Sequence, residues 1–248
     1  MSRYIKFIYP CLFLDKSRLR NGFTLVELMI ALTVTGLIVT AIFSSYIAQK
    51  RSAVAQEQVS EMQQSLRAGL GIMEREIRMA GYNPRRTAAV GTGITEATAG
   101  RLAFCFVADT DKMNNNPPNT EIDEPDEIET VEYSLYDANG DGPMDLGRRA
   151  SNRIQAVAEN IEKLEFCYIM NDGAQTLDPI SSGYANLADI RSVRISILAR
   201  TSRPDPQFIN AATTYKTASD TTWGPFTDNY RRRLLITTIH CRNMGLTP

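Results

Sequence analysis

Histidine is almost absent from this chain, since His240 is the only one among 248 residues. Catalytic triads, acid–base pairs and most transition-metal sites need an imidazole beside a nucleophile, a carboxylate or a second imidazole. His240 lies in a predicted strand beside Cys241, and no nucleophile motif surrounds it. Acidic pairs such as Glu124 and Asp126 stand in a proline-bearing loop, where nothing fixes the separation that catalysis needs. The sequence therefore predicts a protein that is not an enzyme.

Cysteine is also scarce, and its spacing does not suit a metal. Four cysteines are present, none of them in a CxxC pair. One of them, Cys11, belongs to the leading segment. The pattern favours one disulfide among Cys105, Cys167 and Cys241 in an oxidising compartment, with one thiol left over. All three pairings remain open.

A surplus of basic residues is missing as well. The formal net charge is −1, and the first 22 residues hold a local excess of cations against Asp15 alone: Arg3, Lys6, Lys16, Arg18 and Arg20. The rest of the chain is mildly acidic, which argues against a dedicated nucleic-acid binder. The run Arg231-Arg232-Arg233 is interpreted as the solvated start of an edge strand, where charge discourages aggregation. Contact with DNA or another anionic polymer is the alternative.

What the chain has is a long apolar run from Phe23 to Ile47, in which Glu27 is the one ionisable residue. At 1.5 Å per residue, about 25 helical residues cross the ~30 Å hydrocarbon core of a membrane. The basic residues ahead of the run predict a cytoplasmic N-terminus and a translocated body. The alternative is an ordinary secretory signal that is cleaved behind the run, near Ser44, Ser45 and Ala48.

Glu27 is the exception within the apolar run. A carboxylate inside a membrane span is costly and usually has a partner and a function. The alternative is that Glu27 lies near the cytoplasmic interface and reaches water.

The residues around Glu27 resemble a known processing signal. Arg18, Arg20 and Gly22 followed by Phe-Thr-Leu-Val-Glu at 23–27 resemble the type III signal of type IV pilins and type II secretion pseudopilins. The resemblance implies that a prepilin peptidase cleaves after Gly22 and that the new N-terminal residue, Phe23, is methylated. It also implies that Glu27 neutralises the freed amine of a neighbouring subunit and so sets the register of assembly. The attraction is strong where the dielectric constant is low.

The apolar pattern narrows to one stripe beyond Ile47. Its members recur at spacings of three and four residues, which predicts an amphipathic helix that continues the membrane helix to Ala80: Ala55, Val59, Met62, Leu66, Gly69 or Leu70, Met73, Ile77 and Ala80. Gly81 and Asn83-Pro84 supply the stop. Gly69 and Gly71 are weak points at which this helix could bend.

The remaining chain reads as strands and polar loops. Five segments rich in β-branched and aromatic residues predict antiparallel strands: 101–108, 128–136, 163–170, 193–200 and 234–242. The segments 109–126, 171–188 and 202–229 are predicted to be surface loops.

Two further segments narrow the resemblance. EREIRMAGYNP at 74–84 and RRRLLITTIHCRN at 231–243 resemble the end of the long helix and the last strand of PilW-type minor pilins. The J-type minor pseudopilins of type II secretion are similar in general layout. The resemblance implies an α+β, pilin-like fold with a long N-terminal helix packed on an antiparallel head. Its segments would be a cytoplasmic leader (1–22), a transmembrane and filament-core helix (23–47), an amphipathic continuation (48–81) and a β-rich extracytoplasmic head (82–248).

One loop has the spacing of a calcium site. Asp137, Asn139 and Asp141 precede Gly142 in the D-x-N-x-D-G pattern, and Asp145 is placed to serve as a further ligand. The twelfth position is Arg148, where a calcium loop needs a bidentate acid. An Asx- and Gly-rich hairpin turn is the alternative that explains the same residues without metal. The sequence predicts no other cofactor.

The family resemblance implies a minor pilin held in the inner membrane with its head in the periplasm, and later assembled into a pilus filament. Its partners would be major and minor pilins, the prepilin peptidase and the assembly platform, with no nucleic acid bound by this chain alone. Such pilins prime assembly and modulate adhesion, twitching motility or DNA uptake. The alternatives are a type II secretion minor pseudopilin and a membrane-tethered protein that binds calcium or a surface polymer.

Overall fold

The structure is a computed structural model, and it describes residues 22–83, 93–108, 128–137, 140, 142, 144–151 and 153–245. Several residues discussed above lie outside the described ones, namely residues 1–21, Glu124, Asp126, Asn139 and Asp141. The chain divides into two units, residues 1–52 and residues 53–248. The four segments predicted from the sequence remain predictions.

A single α-helix, α1, runs from Leu25 to Ile77. It begins after Thr24, and it ends three residues before the predicted end at Ala80. Residues 78–81 form a turn in which Gly81 adopts a φ of +78°, a conformation that glycine adopts without steric cost and that commonly ends helices. α1 is helical throughout, so neither Gly69 nor Gly71 interrupts it.

Within the first unit, the part of α1 before Ala53 is apolar around its whole circumference. Leu25, Leu32 and Leu37 are 74%, 72% and 73% exposed. Among the described residues, α1 is the one helix long and apolar enough to cross a membrane, and its most apolar 18-residue window has a mean hydropathy of 2.3. The chain therefore has the long apolar helix that the sequence predicts.

The hydroxyl groups in this apolar part of α1 donate hydrogen bonds to backbone carbonyl oxygens of the same helix. Thr35 Oγ1 donates to the Ala31 carbonyl oxygen at 2.7 Å, and Thr40 Oγ1 donates to that of Gly36 at 2.8 Å. Thr33 and Ser44 make bonds of the same kind. This matters because hydrocarbon offers no water to unpaired polar groups.

Within the second unit, α1 buries one stripe of side chains. The buried residues recur every three or four positions, as the sequence predicts: Met62, Leu66, Gly69, Met73 and Ile77. Ala80, in the turn that follows, is buried too. The stripe belongs to the same hydrophobic core as Phe104, Phe166 and Ile195 of the sheets.

Eleven strands make up the rest of the described chain: β1 (Gly93–Ala97), β2 (Arg101–Val107), β3 (Ile128–Tyr136), β4 (Asp145–Ala150), β5 (Arg153–Ala158), β6 (Ile161–Met170), β7 (Gln175–Thr176), β8 (Ile190–Arg200), β9 (Thr213–Lys216), β10 (Thr222–Phe226) and β11 (Arg232–His240). They form sheets of order β1-β2-β3-β4-β5 and β11-β8-β6-β7 and the pair β10-β9. All pairings are antiparallel. The predicted α+β class, a long apolar helix with antiparallel sheets, is confirmed.

All five predicted strands exist, and six further strands were not predicted. Two predicted loops are partly wrong, because β7 lies within 171–188 and the β9–β10 hairpin lies within 202–229. These strands are only two to five residues long, and β10 contains Gly224 and Pro225, so their sequences lack the extended alternation that predicts a strand.

Gly69 marks the closest approach of α1 to the first sheet. A Cβ atom built on Gly69 would lie 2.8 Å from the Cβ of Ala158 and 3.1 Å from the carbonyl oxygen of Val157, whereas a Cβ on Gly71 would meet nothing within 4 Å. The sequence presented both glycines as weak points, but only Gly69 has a packing role.

Alanine at these two positions is expected to change stability in opposite directions. Gly69→Ala should lower the free energy of unfolding by about 1–3 kcal/mol through overpacking against β5. Gly71→Ala should raise it by about 0.5–1 kcal/mol, because alanine restricts the unfolded chain and favours helix. Urea denaturation of the detergent-solubilised full chain measures both. Equal effects of the two variants would contradict the close contact.

Candidate functional site

The candidate site is the N-terminal end of α1, where the sequence predicts cleavage and assembly. Gly22 and Phe23 precede the helix in non-helical backbone. No atom lies within 4 Å of the position that a Gly22 Cβ would occupy, and Phe23 is 89% exposed. Within the described part of the chain, nothing packs against these two residues at the predicted cleavage point.

Thr24 and Glu27 form a reciprocal cap on the first turn of α1. The backbone N–H and the hydroxyl of Thr24 each donate to Glu27 Oε2 at 2.9 Å. The Glu27 N–H in turn donates to Thr24 Oγ1 at 3.2 Å. This is the capping box that the spacing Thr-x-x-Glu produces at helix starts.

The cap leaves the Glu27 carboxylate with unused bonding capacity. Both bonds from Thr24 go to Oε2, and within the described ranges Oε1 accepts no hydrogen bond and no cation lies within ion-pair distance. The N-terminal end of a helix favours a negative charge, but only as a fraction of one opposite charge. A cationic amine approaching Oε1 would therefore complete the neutralisation without breaking the cap.

A second group of residues fixes α1 to the head, and it was not predicted. Arg148 of β4 donates from Nε to both Glu76 carboxylate oxygens at 2.9 Å and from an Nη to Glu129 Oε1 at 2.7 Å. The Arg148 and Glu76 side chains are only 17% and 12% exposed. We call Glu76, Arg148, Glu129 and Tyr133 the helix clamp.

Tyr133 of β3 completes the helix clamp by donating its hydroxyl hydrogen to Glu76 Oε2. Burial, followed by this bond to a carboxylate, raises the pKa of Tyr133 well above its ordinary value. The phenol therefore stays a donor at physiological pH. The sequence held one signal for the clamp, because Glu76 stands between Met73 and Ile77 and so borders the buried stripe of α1.

The basic run 231–233 is not the solvated patch that the sequence suggested. Arg232 has a fully buried side chain, which bonds to Glu162 and Asp228 and lies 4.0 Å from the centre of the Phe226 ring. Hydrogen bonds from Arg232 hold the pKa of Asp228 well below its usual value. The edge-strand part of the prediction is right, since β11 borders its sheet.

Arg231 is also engaged. Its guanidinium lies 2.9 Å from Asp205 Oδ2 and 4.4 Å from the Phe208 ring centre. Of the three arginines, only Arg233 is exposed. These neighbours could not be predicted, because the acids and rings come from distant loops.

The proposed calcium ligands are only partly described. Asp137 accepts bonds from the N–H groups of Gly140 and Gly142 at 2.7 and 3.2 Å, which is the geometry of an Asx-type turn. Asp145 is buried in β4 and accepts from the Asn160 N–H at 3.0 Å. Both acids therefore have structural roles. Because Asn139 and Asp141 lie outside the described residues, calcium binding stays a prediction.

The structure does not contain the predicted disulfide. Cys167 of β6 and Cys241 are free, and β8 lies between β6 and β11 in the sheet. Neither is joined to Cys105, whose thiol faces the Gly93 carbonyl oxygen at 3.6 Å. Burial raises the pKa of Cys241 to about 12.

His240, the lone histidine, is paired through Nδ1 with the Ser192 hydroxyl at 2.7 Å.

Comparisons with known proteins agree with this arrangement. Residues 126–243 match the family described as Type IV Pilus-assembly protein W, and residues 17–43 match the Prokaryotic N-terminal methylation motif. The first match spans β3 to β11, and the second spans the predicted cleavage point, the Thr24–Glu27 cap and the first part of α1. These matches confirm the resemblance predicted from the sequence.

No curated protein sequence matches the chain significantly. Among solved structures, a type IV-like pilin from Thermus thermophilus is similar, with 13% identity over 74% of this chain and 98% of that one and a TM-score of 0.45.

Removing the cation of the helix clamp should strongly destabilise the head. Arg148→Met leaves Glu76 and Glu129 without their partner. We expect the free energy of unfolding to fall by an amount near the lower end of about 3–5 kcal/mol, since the helix clamp is mostly but not fully buried. Adding Glu76→Gln to that variant should restore part of the loss. Arg149→Met is the matched control, because Arg149 is 50% exposed and 3.9 Å from Glu132; it should change stability by less than about 1 kcal/mol. Urea unfolding measures all four chains, and equal losses for the two arginines would refute the clamp.

Cys167 and Cys241 should behave as buried, unbridged thiols. At pH 8 the raised pKa of Cys241 keeps it protonated, so the folded chain should react slowly with iodoacetamide at this position. Once the chain is unfolded without reductant, Cys167 and Cys241 should both be alkylated. Peptide mass mapping checks this, and a bridged pair that resists alkylation until reduction would restore the disulfide prediction.

Proposed function

We propose that this chain, which matches the N-terminal methylation motif over residues 17–43 and the pilus-assembly protein W family over residues 126–243, is a minor pilin of the type IV pilin-like class. It is stored in the inner membrane by α1 with its head in the periplasm. It is then extracted and packed among major and minor pilins by the pilus assembly platform. The observation that carries this proposal is an exposed apolar helix with one carboxylate beside the predicted cleavage point.

Processing is the first step of the proposed function. The prepilin peptidase hydrolyses the exposed bond between Gly22 and Phe23, and the new amine of Phe23 is methylated. Cleavage ahead of α1 leaves the whole apolar helix on the mature protein. The same helix then serves as a membrane anchor and afterwards as a packing element of the filament.

Assembly follows from the charges at the end of the helix. The mature N-terminus carries a cationic amine, and Glu27 Oε1 is available to a cation while Oε2 holds Thr24. In a low-dielectric setting an uncompensated carboxylate is costly, and the attraction to an amine is large. A neighbouring subunit that docks its amine on Glu27 is therefore selected over one that docks out of register.

The head is the part that confers a minor-pilin role. We propose that it primes filament assembly and that its surface modulates adhesion, motility or DNA uptake. Arg231 and Arg232 are bound to carboxylates, so the basic run at 231–233 offers only Arg233 as an exposed cation, and we propose that this chain alone binds no nucleic acid. The match to a pilus-assembly family favours a pilus over a secretion filament.

Glu27→Ala tests the proposal. The variant should reach the membrane at the normal level but enter filaments at least about tenfold less often, since the interaction that sets register is missing. Glu57→Ala is the matched control, because Glu57 lies on α1 outside the apolar run and is exposed; it should assemble normally. Immunoblots of sheared filaments and of membranes measure how much of each variant is in the filament and how much stays in the membrane. Normal incorporation of Glu27→Ala would instead favour a membrane-tethered binding protein.

A further inference from the structure

The last strand of the head, β11, has one open side. It pairs with β8 from Arg232↔Arg200 to His240↔Ser192 without a bulge. In the described part of the chain, no strand pairs with its other side. The strand is nine residues long, so the open side is longer than that of most edge strands, which natural proteins keep short.

The hydrogen bonds at its two ends show which residues face outwards. The Thr201 N–H donates to the Arg231 carbonyl oxygen at 2.9 Å, and the Cys241 N–H donates to that of Arg191 at 3.0 Å. Odd-numbered residues of β11 therefore bond to β8. In an antiparallel pair the directions alternate, so the backbone groups that point away from β8 belong to the even-numbered residues Arg232, Leu234, Ile236, Thr238 and His240.

These outward groups have no hydrogen-bond partner among the described residues. Nor does the strand carry the usual protection of an edge. Residues 234–240 (Leu-Leu-Ile-Thr-Thr-Ile-His) contain no lysine, no acid and no proline, although such residues normally blunt edge strands. Ile236 is 45% exposed. The edge is thus a template for one more strand.

The charges at the two ends of the edge specify what that strand should carry. Arg233 is exposed at the start of the uncharged run, and Arg242 is exposed just after β11. Neither makes an ion pair with a described residue, in contrast to Arg231 and Arg232. Nine residues separate Arg233 from Arg242, which at roughly 3.3 Å per residue corresponds to about 30 Å of extended chain. Carboxylates at the ends of an added strand would meet both of them.

We propose that β11 binds an extended, uncharged strand from the head of another filament subunit, flanked by an acidic residue at each end. The outward backbone groups of β11 supply the hydrogen bonds, and Arg233 and Arg242 fix the register. This is sheet extension by strand addition, in which the main chain gives affinity and the side chains give specificity. The inference rests on the proposed function, because the partner is another pilin-like subunit.

A photo-crosslinking amino acid at position 238 of the full chain, expressed in its own cells, tests the contact. Mass mapping should identify the crosslinked peptide as an extended segment of a different protein that carries an N-terminal methylation motif, with acids at both ends. The same label at Ile209, which is 72% exposed in a loop, is the positional control and should not capture that segment. A crosslink to a second copy of this chain, to a protein without the motif, or to nothing would overturn the proposal.

Two variants test whether the edge itself makes the contact. Thr238→Pro removes an N–H that faces away from β8, and Ile236→Lys places a charge on the edge. Combined with the label at position 240, each should lower the crosslink yield at least about tenfold. Ile209→Lys is the matched control and should leave the yield unchanged. Urea unfolding identifies any variant that does not fold. In that case the crosslink formed by the photo-crosslinking amino acid alone, in a chain without further substitutions, decides whether β11 makes the contact.

Filament incorporation separates the two proposals. If Glu27→Ala is excluded from filaments while the edge variants enter normally and crosslink yields stay unchanged, the strand-addition proposal fails and the minor-pilin function stands. If Glu27→Ala enters filaments normally, the function itself fails.

Discussion

The structure depends on one constraint: a carboxylate placed in an apolar helix must be neutralised. Glu27 is the single ionisable residue of the run from Phe23 to Ile47, and its cap with Thr24 occupies one carboxylate oxygen. In the proposed filament, the remaining oxygen gives an otherwise apolar helix one specific point of attraction. Apolar surface alone packs in many registers, whereas an ion pair inside it distinguishes one register from the others.

The head uses the same chemistry to hold the helix. Glu76 lies at the border of the buried stripe of α1, and Arg148 reaches it from β4. Gly69 brings the helix backbone so close to β5 that an added Cβ atom would require a shift of its neighbours. Together these contacts tie the second half of α1 to the sheet that carries β3 and β4.

Much of this arrangement could be predicted from the sequence, because it rests on local patterns. The apolar run, the stripe at Met62, Leu66 and Met73, and the Thr24–Glu27 spacing all follow from periodicity or short-range geometry. The partners of Arg148 and Arg232 could not be predicted, since Glu76 and Glu162 are each about 70 residues away in the chain. The short strands β7, β9 and β10 were missed for a different reason: each has only two to five residues, and Gly224-Pro225 interrupts β10, so no periodic pattern marks them.

The central claim is that the apolar helix survives processing and begins with a charged amine. Mass spectrometry of the N-terminal peptide of the mature chain, purified from sheared filaments or membranes, tests it most directly. The account predicts a chain that starts at Phe23 and carries one methyl group on its amine. A chain that starts at Met1, or at any residue behind Ile47, would contradict it.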